Sequence, residues 1–107
     1  MEKTIDNIDF AKGDGIVPVI VQDAYSMQVL TLAYTNKESL ELTKKTGNSW
    51  FWSRSRNKLW MKGEESGNTQ KVKEILVDCD SDALIYLVEP SGPACHTGQG
   101  TCFHNKM

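Results

Sequence analysis

The chain has no long hydrophobic run, no large excess of one charge and no Cys-x-x-Cys pair, and each absence removes a class of protein. The longest apolar stretches, such as Ala83–Val88, are far too short to span a bilayer as a helix. The opening MEKTIDNIDFAKGDG lacks the apolar core of a secretory signal, so the expected location is cytoplasmic, with no membrane partner. A net charge of −2 argues against a general nucleic-acid binder, whose affinity rests on a strong positive field. No repeat, low-complexity segment or linker interrupts the 107 residues, which fit one domain, 1–107. The glycine-bearing Gly63–Asn68 stretch lacks the Walker spacing and its Lys-Ser/Thr pair. It reads as a connecting loop with Glu64 and Glu65 solvated.

What remains is 39% apolar residues, enough for one modest core that a metal or a partner subunit would help to stabilise. Val17–Val21 and Val29–Tyr34 read as strands, with a turn at Asp23–Met27. Asn36 is a good N-cap for a helix over Lys37–Thr46, which Gly47 would end. Trp50–Ser53 and Leu59–Met61 read as strands about an RSRN turn, and Val72–Asp78 and Ala83–Val88 as two more. Glu89–Met107 carries three glycines and two prolines without periodicity, so it reads as a loop or tail. The expected class is α+β, a β-dominated single domain with one or more short helices.

That tail holds two of the three cysteines, and a bound metal would hold it down. Fifteen residues separate Cys79 from Cys95 and six separate Cys95 from Cys102. In a reducing compartment three thiols mean packing, a metal site or a reactive thiol. Catalytic zinc keeps three protein ligands and leaves the fourth position to water, which suits three thiolates. His96 or His104 could close the site instead, and ordinary buried cysteines are the competing reading. Asp78, Asp80 and Asp82 alternate with Cys79 and Ser81. In an extended segment the carboxylates share one face, where Mg²⁺ would relieve their repulsion, and Cys79 faces the other way. A solvated acidic turn is the plain alternative. An EF-hand is disfavoured because Ala83 stands where its sharp turn needs glycine. Trp50 to Arg56, followed by Lys58, Trp60 and Lys62, joins purine-stacking rings to phosphate-matching guanidinium forks. The same segment could equally be a core strand with a solvated basic turn.

Several blocks together resemble a known family. Asp14–Ala24 and Leu32-Ala33-Tyr34-x-Asn36 look like the opening of phosphoribosyl-AMP cyclohydrolases. So do WSRSR at 52–56, LWMKGEESG at 59–67, DCDSDA at 78–83, ACHTG at 94–98 and Cys102-Phe103. The resemblance runs from about Asp14 to Phe103. It implies hydrolysis of the N1–C6 bond of the adenine ring of phosphoribosyl-AMP, the third step of L-histidine biosynthesis. It also implies zinc on Cys79, Cys95 and Cys102, shared between the subunits of a homodimer, and magnesium on Asp78, Asp80 and Asp82. Metal sites at the dimer interface are thus part of the expectation.

The residues suit that chemistry. Alkylation at N1 leaves the purine cationic and C6 electrophilic, and zinc lowers the pKa of bound water towards 7, so a zinc-bound hydroxide would attack C6. His96, beside Cys95, is the candidate proton carrier. Trp52, Ser53, Arg54, Ser55 and Arg56 are the candidates for holding the nucleotide. His104, at the edge of the similarity, is given no role. Many relatives have histidine at the position of Asn68, and an amide cannot shuttle a proton. The pyrophosphohydrolase extension of some relatives is absent, so a single activity is expected. The rivals are a binding module with structural zinc, another zinc hydrolase and a metal-clamped interaction protein. The deaminase signature H-x-E…P-C-x-x-C is missing, which counts against the second.

Overall fold

Alternation of apolar and polar residues along the chain builds the main sheet. In β1 (Ile16–Asp23), Val17, Val19 and Val21 point inward and are almost fully buried. In β6 (Leu84–Pro90), Leu84, Tyr86 and Val88 do the same. These two strands run parallel, flanked antiparallel by β2 (Val29–Asn36) and β5 (Gln70–Val77), in the order β2-β1-β6-β5. The computed structural model describes residues 2–107. Two short 3-10 turns, Ile5–Asn7 and Ala11–Gly13, precede β1. A separate two-stranded sheet pairs β3 (Trp50–Ser53) with β4 (Lys58–Met61).

The helix α1 spans Lys37–Thr46, as its caps predict. Asn36 Oδ1 accepts from the Ser39 amide at 2.8 Å while Ser39 Oγ accepts from the Asn36 amide at 2.8 Å, a reciprocal capping box. Gly47 ends the helix in the left-handed region, φ 79°, and donates to Thr43 O at 2.9 Å. Leu40 on α1 and Phe51 on β3 cover the inner face of the sheet. Phe51 lies 4.9 Å from the Trp60 ring and 5.9 Å from the Tyr86 ring, centroid to centroid. The aromatic segment therefore does contribute to the core, through Phe51.

Some boundaries differ from the sequence reading. Glu89 and Pro90, expected in the tail, complete β6 against Lys71 and Gln70. Asp78, expected to end a strand, lies beyond β5, because Asp78–Ala83 folds into a turn with Ser81 at φ 60°. The connecting loop after β4 closes on Gly63, at φ 84°, where a Cβ would collide with the Asn68 backbone. Beyond Pro90 no regular element forms. Among the described residues no helix is long and apolar enough to cross a membrane.

The outer face of the sheet is also apolar. Leu32, Ile20, Ile85 and Leu76 stand in register across all four strands. Leu32, Ile20 and Leu76 remain 48%, 37% and 40% exposed.

Candidate active site

The β3–β4 hairpin, the loop after it and the tail enclose a cleft of about 490 Å³. Its cations are Arg56, Lys58 and Lys62; its hydroxyls are Ser53, Ser55 and Ser66; Trp60 gives an aromatic wall, and His96 lies at the edge. Glu64 and Glu65 also line it, so the loop read as a mere connector is part of the wall. The turn is held by Ser53 Oγ, which accepts from the Arg56 amide at 3.2 Å. Lys62 Nζ donates to Ala94 O at 2.5 Å, which ties the tail, one residue before Cys95, to the residue just after β4. A second cleft, about 530 Å³, adjoins the first and shares Ser53, Ser55 and Trp60 with it. Trp52, Tyr34 and Arg54 line it, with the Arg54 guanidinium 3.8 Å from the centre of the Tyr34 ring. All five residues expected to hold the nucleotide thus line one cleft or the other. Asn68 packs instead against Gly92 at the start of the tail.

Cys95 is buried, and its sulfur accepts from Thr97 Oγ1 at 3.1 Å. The Thr97 hydroxyl and amide, with smaller help from His104 and Cys102, bring the Cys95 thiol down to about 6 against the pull of burial. His104 Nε2 lies 4.0 Å from Cys95 Sγ. Thr101 Oγ1 donates to Val29 O at 2.7 Å and the Cys102 amide to Leu30 O at 2.8 Å, so this part of the tail is strapped to β2. Cys79 is elsewhere. It is exposed in the β5–β6 turn, at the start of β6, whereas Cys95 and Cys102 follow its end. The seven residues of β6 put roughly 20 Å between those ends.

The acidic turn also differs from its expected geometry. Residues 78–82 are not extended, and Cys79 Sγ donates to Asp80 Oδ1 at 3.6 Å, so the thiol does not face away from the carboxylates. Asp78 Oδ1 accepts from the Asp82 and Ala83 amides at 2.9 and 3.3 Å. Asp82 pairs with Lys12 at 2.8 Å, and that cation holds the Asp82 carboxyl below its ordinary range. Among the described residues, no three His, Cys, Asp or Glu groups within the chain converge on a metal position.

A cationic, ring-walled cleft with His96 on its lining, next in the chain to the buried Cys95, suits a small anionic ring compound. The family model described as Phosphoribosyl-AMP cyclohydrolase matches residues 31–104. A Phosphoribosyl-AMP cyclohydrolase of Nitrosopumilus maritimus is 78% identical over 107 residues, 100% of this chain and 99% of that protein. One of Cenarchaeum symbiosum is 77% identical over the same shares. The Histidine biosynthesis bifunctional protein HisIE of Bacillus subtilis is 63% identical over 94% of this chain and 48% of its own length. The chain belongs to the phosphoribosyl-AMP cyclohydrolase family, hydrolases of histidine biosynthesis.

Proposed function

We propose that the chain opens the purine ring of phosphoribosyl-AMP at its N1–C6 bond, as a homodimer in which Cys95 and Cys102 of one subunit and Cys79 of the other hold zinc. The observation that carries the shared site is the separation of the thiols. Cys79 lies a strand's length from the other two, so one chain alone cannot close a three-thiolate set. Two thiols together and one apart fit a metal only when two copies meet. The exposed row Leu32-Ile20-Ile85-Leu76 supports the dimer, since an apolar face of this kind needs a cover.

Held there, zinc supplies the acidity that turns water into a nucleophile near neutral pH. Asp80 and Asp82 offer magnesium the hard oxygens it prefers, with Asp78 between turn and metal, and magnesium there would neutralise phosphate charge. The other steps belong to side chains on the cleft. The substrate carries a phosphate at each end, and each cleft offers cations: Arg56 and Lys58 in one, Arg54 in the other. Trp60, common to both, is placed to stack on the base between them. His96 is the group able to move a proton at N1 as the ring opens. Lys62, through Ala94 O, sets the position of the segment that carries His96.

The test is the ultraviolet change on ring opening, with protein loaded with Zn²⁺ and Mg²⁺ and with Cys95→Ala as control. Turnover lost in the variant supports the reading. Turnover retained in the variant overturns the role of zinc, and no turnover in folded, metal-loaded wild type overturns the activity.

A further inference from the structure

We propose that Tyr34 is a positioning residue for phosphate capture, its ring ordering the Arg54 guanidinium before substrate arrives; this rests on the reading above that Arg54 takes one of the two phosphates. The guanidinium carbon lies 3.8 Å from the centre of the Tyr34 ring. A guanidinium that close to a ring centre touches it through its flat face, which leaves the N–H donors around its rim free for a phosphate.

The surroundings of Arg54 point the same way. Among the described residues the one ion pair is Lys12–Asp82, so Arg54 has no counter-ion within the chain. The hydrogen bonds of its own turn join Ser53 to Ser55 and to the Arg56 amide, and leave the guanidinium out. Arg54 is the one charged group lining the second cleft, where no carboxylate offsets it, whereas Glu64 and Glu65 line the first beside its cations. An uncompensated cation among rings and hydroxyls suits an anion. The two partners also differ in rigidity. Arg54 begins the exposed turn between β3 and β4, while Tyr34 is half-buried on β2, opposite Pro18 of β1. A long side chain on a turn samples many rotamers, and each binding event would have to order them. The ring, fixed to the sheet, does so beforehand. The phosphate is held alike before and during ring opening, so this ordering lowers KM and leaves kcat alone.

Steady-state kinetics with phosphoribosyl-AMP, on protein loaded with Zn²⁺ and Mg²⁺, separate the two constants. Tyr34→Ile keeps a strand-forming apolar side chain and loses the ring. It is expected to raise KM about threefold to tenfold with kcat near the wild-type value. Tyr34→Phe keeps the ring face and is expected to keep the wild-type KM. Arg54→Met is expected to raise KM further, and adding Tyr34→Ile to it to raise KM no more, since the ring acts only through the cation. Tyr34→Met takes the place of the isoleucine variant in this cycle if that variant does not fold. An unchanged KM in Tyr34→Ile, a rise in Tyr34→Phe as large as in Tyr34→Ile, or rises that multiply in the double variant overturn the positioning role and leave the phosphate contact of Arg54 standing. An unchanged KM in Arg54→Met overturns that contact itself, and the role of Tyr34 with it.

Discussion

Replacing Ile20 with glutamate should split the proposed dimer, and release the zinc proposed to lie between its subunits, without unfolding the subunit. Ile20 stands on β1, an inner strand, in the outward row with Leu32, Ile85 and Leu76. Ile20, Leu32 and Leu76 are 37%, 48% and 40% exposed in the single chain. Full burial of such a side chain is worth about 1.5–3 kcal/mol, so covering what remains gives about 1 kcal/mol each, or about 6 kcal/mol over two subunits. The substitution removes about 2 kcal/mol of that and places two carboxylates in the contact, each costing several kcal/mol unless paired. At 1.4 kcal/mol per decade, the dissociation constant should rise by at least about three decades. In the separated subunit the new carboxylate faces water, so folding should lose no more than about 1 kcal/mol. Sedimentation should report a monomer, circular dichroism a near-native fold, and metal analysis after gel filtration a loss of zinc. A folded monomer that keeps one zinc per chain on three sulfurs would refute the shared site. An intact dimer would show that the pair meets through another face.

Asn36→Ala removes the reciprocal cap of α1 and should cost about 1 kcal/mol, lowering the melting temperature of a domain this size by roughly 4 °C in a thermal scan. Tyr86 is buried, and its phenol is pushed above the ordinary value, with desolvation the main cause. The folded state therefore keeps a proton that the unfolded chain releases near pH 10, so its stability is whole below that pH and falls as the pH rises beyond it. Tyr86→Phe should make the alkaline limb of a plot of unfolding free energy against pH, from denaturant titrations, shallower by up to about 1.4 kcal/mol per pH unit, and an unchanged slope would contradict the burial argument. Lys62→Met removes the bond to Ala94 O, a charged hydrogen bond worth about 1.5–3 kcal/mol. It should lower kcat about tenfold or more while zinc content stays at the wild-type level.

The parts of the fold legible in the sequence were those set by local chemistry. Asn36 and Gly47 mark both ends of α1 because capping needs only residues within one turn. The alternation of Val17, Val19 and Val21 marks β1 because the pleat has period two. The parallel pairing of β1 with β6 is different in kind. Val19 meets Leu84 across 64 intervening positions, and no local rule records that choice. At 78–82 two readings stand open in the sequence, an extended acidic face and a solvated turn, and the fold takes the turn. Alternation alone suggests a strand with acids on one face, but Asp78 accepts two amides of its own segment and folds it into a turn. Aspartate competes with the ladder for backbone donors, and here it prevails.

The site shows where such reading stops. Residue types announce which groups bind metals, and Cys79, Cys95 and Cys102 could be picked out on that ground. Their arrangement depends on which end of β6 each one occupies, a matter of topology. With β6 between Cys79 and the other two, the described residues of a single chain do not bring the three thiols together. The same topology separates the two histidines. Adjacency to Cys95 along the chain favours His96, yet the strap from Thr101 and Cys102 to β2 brings the distant His104 to the sulfur and leaves His96 facing the cleft. Contact in space, and not nearness in sequence, decides which imidazole meets the Cys95 sulfur.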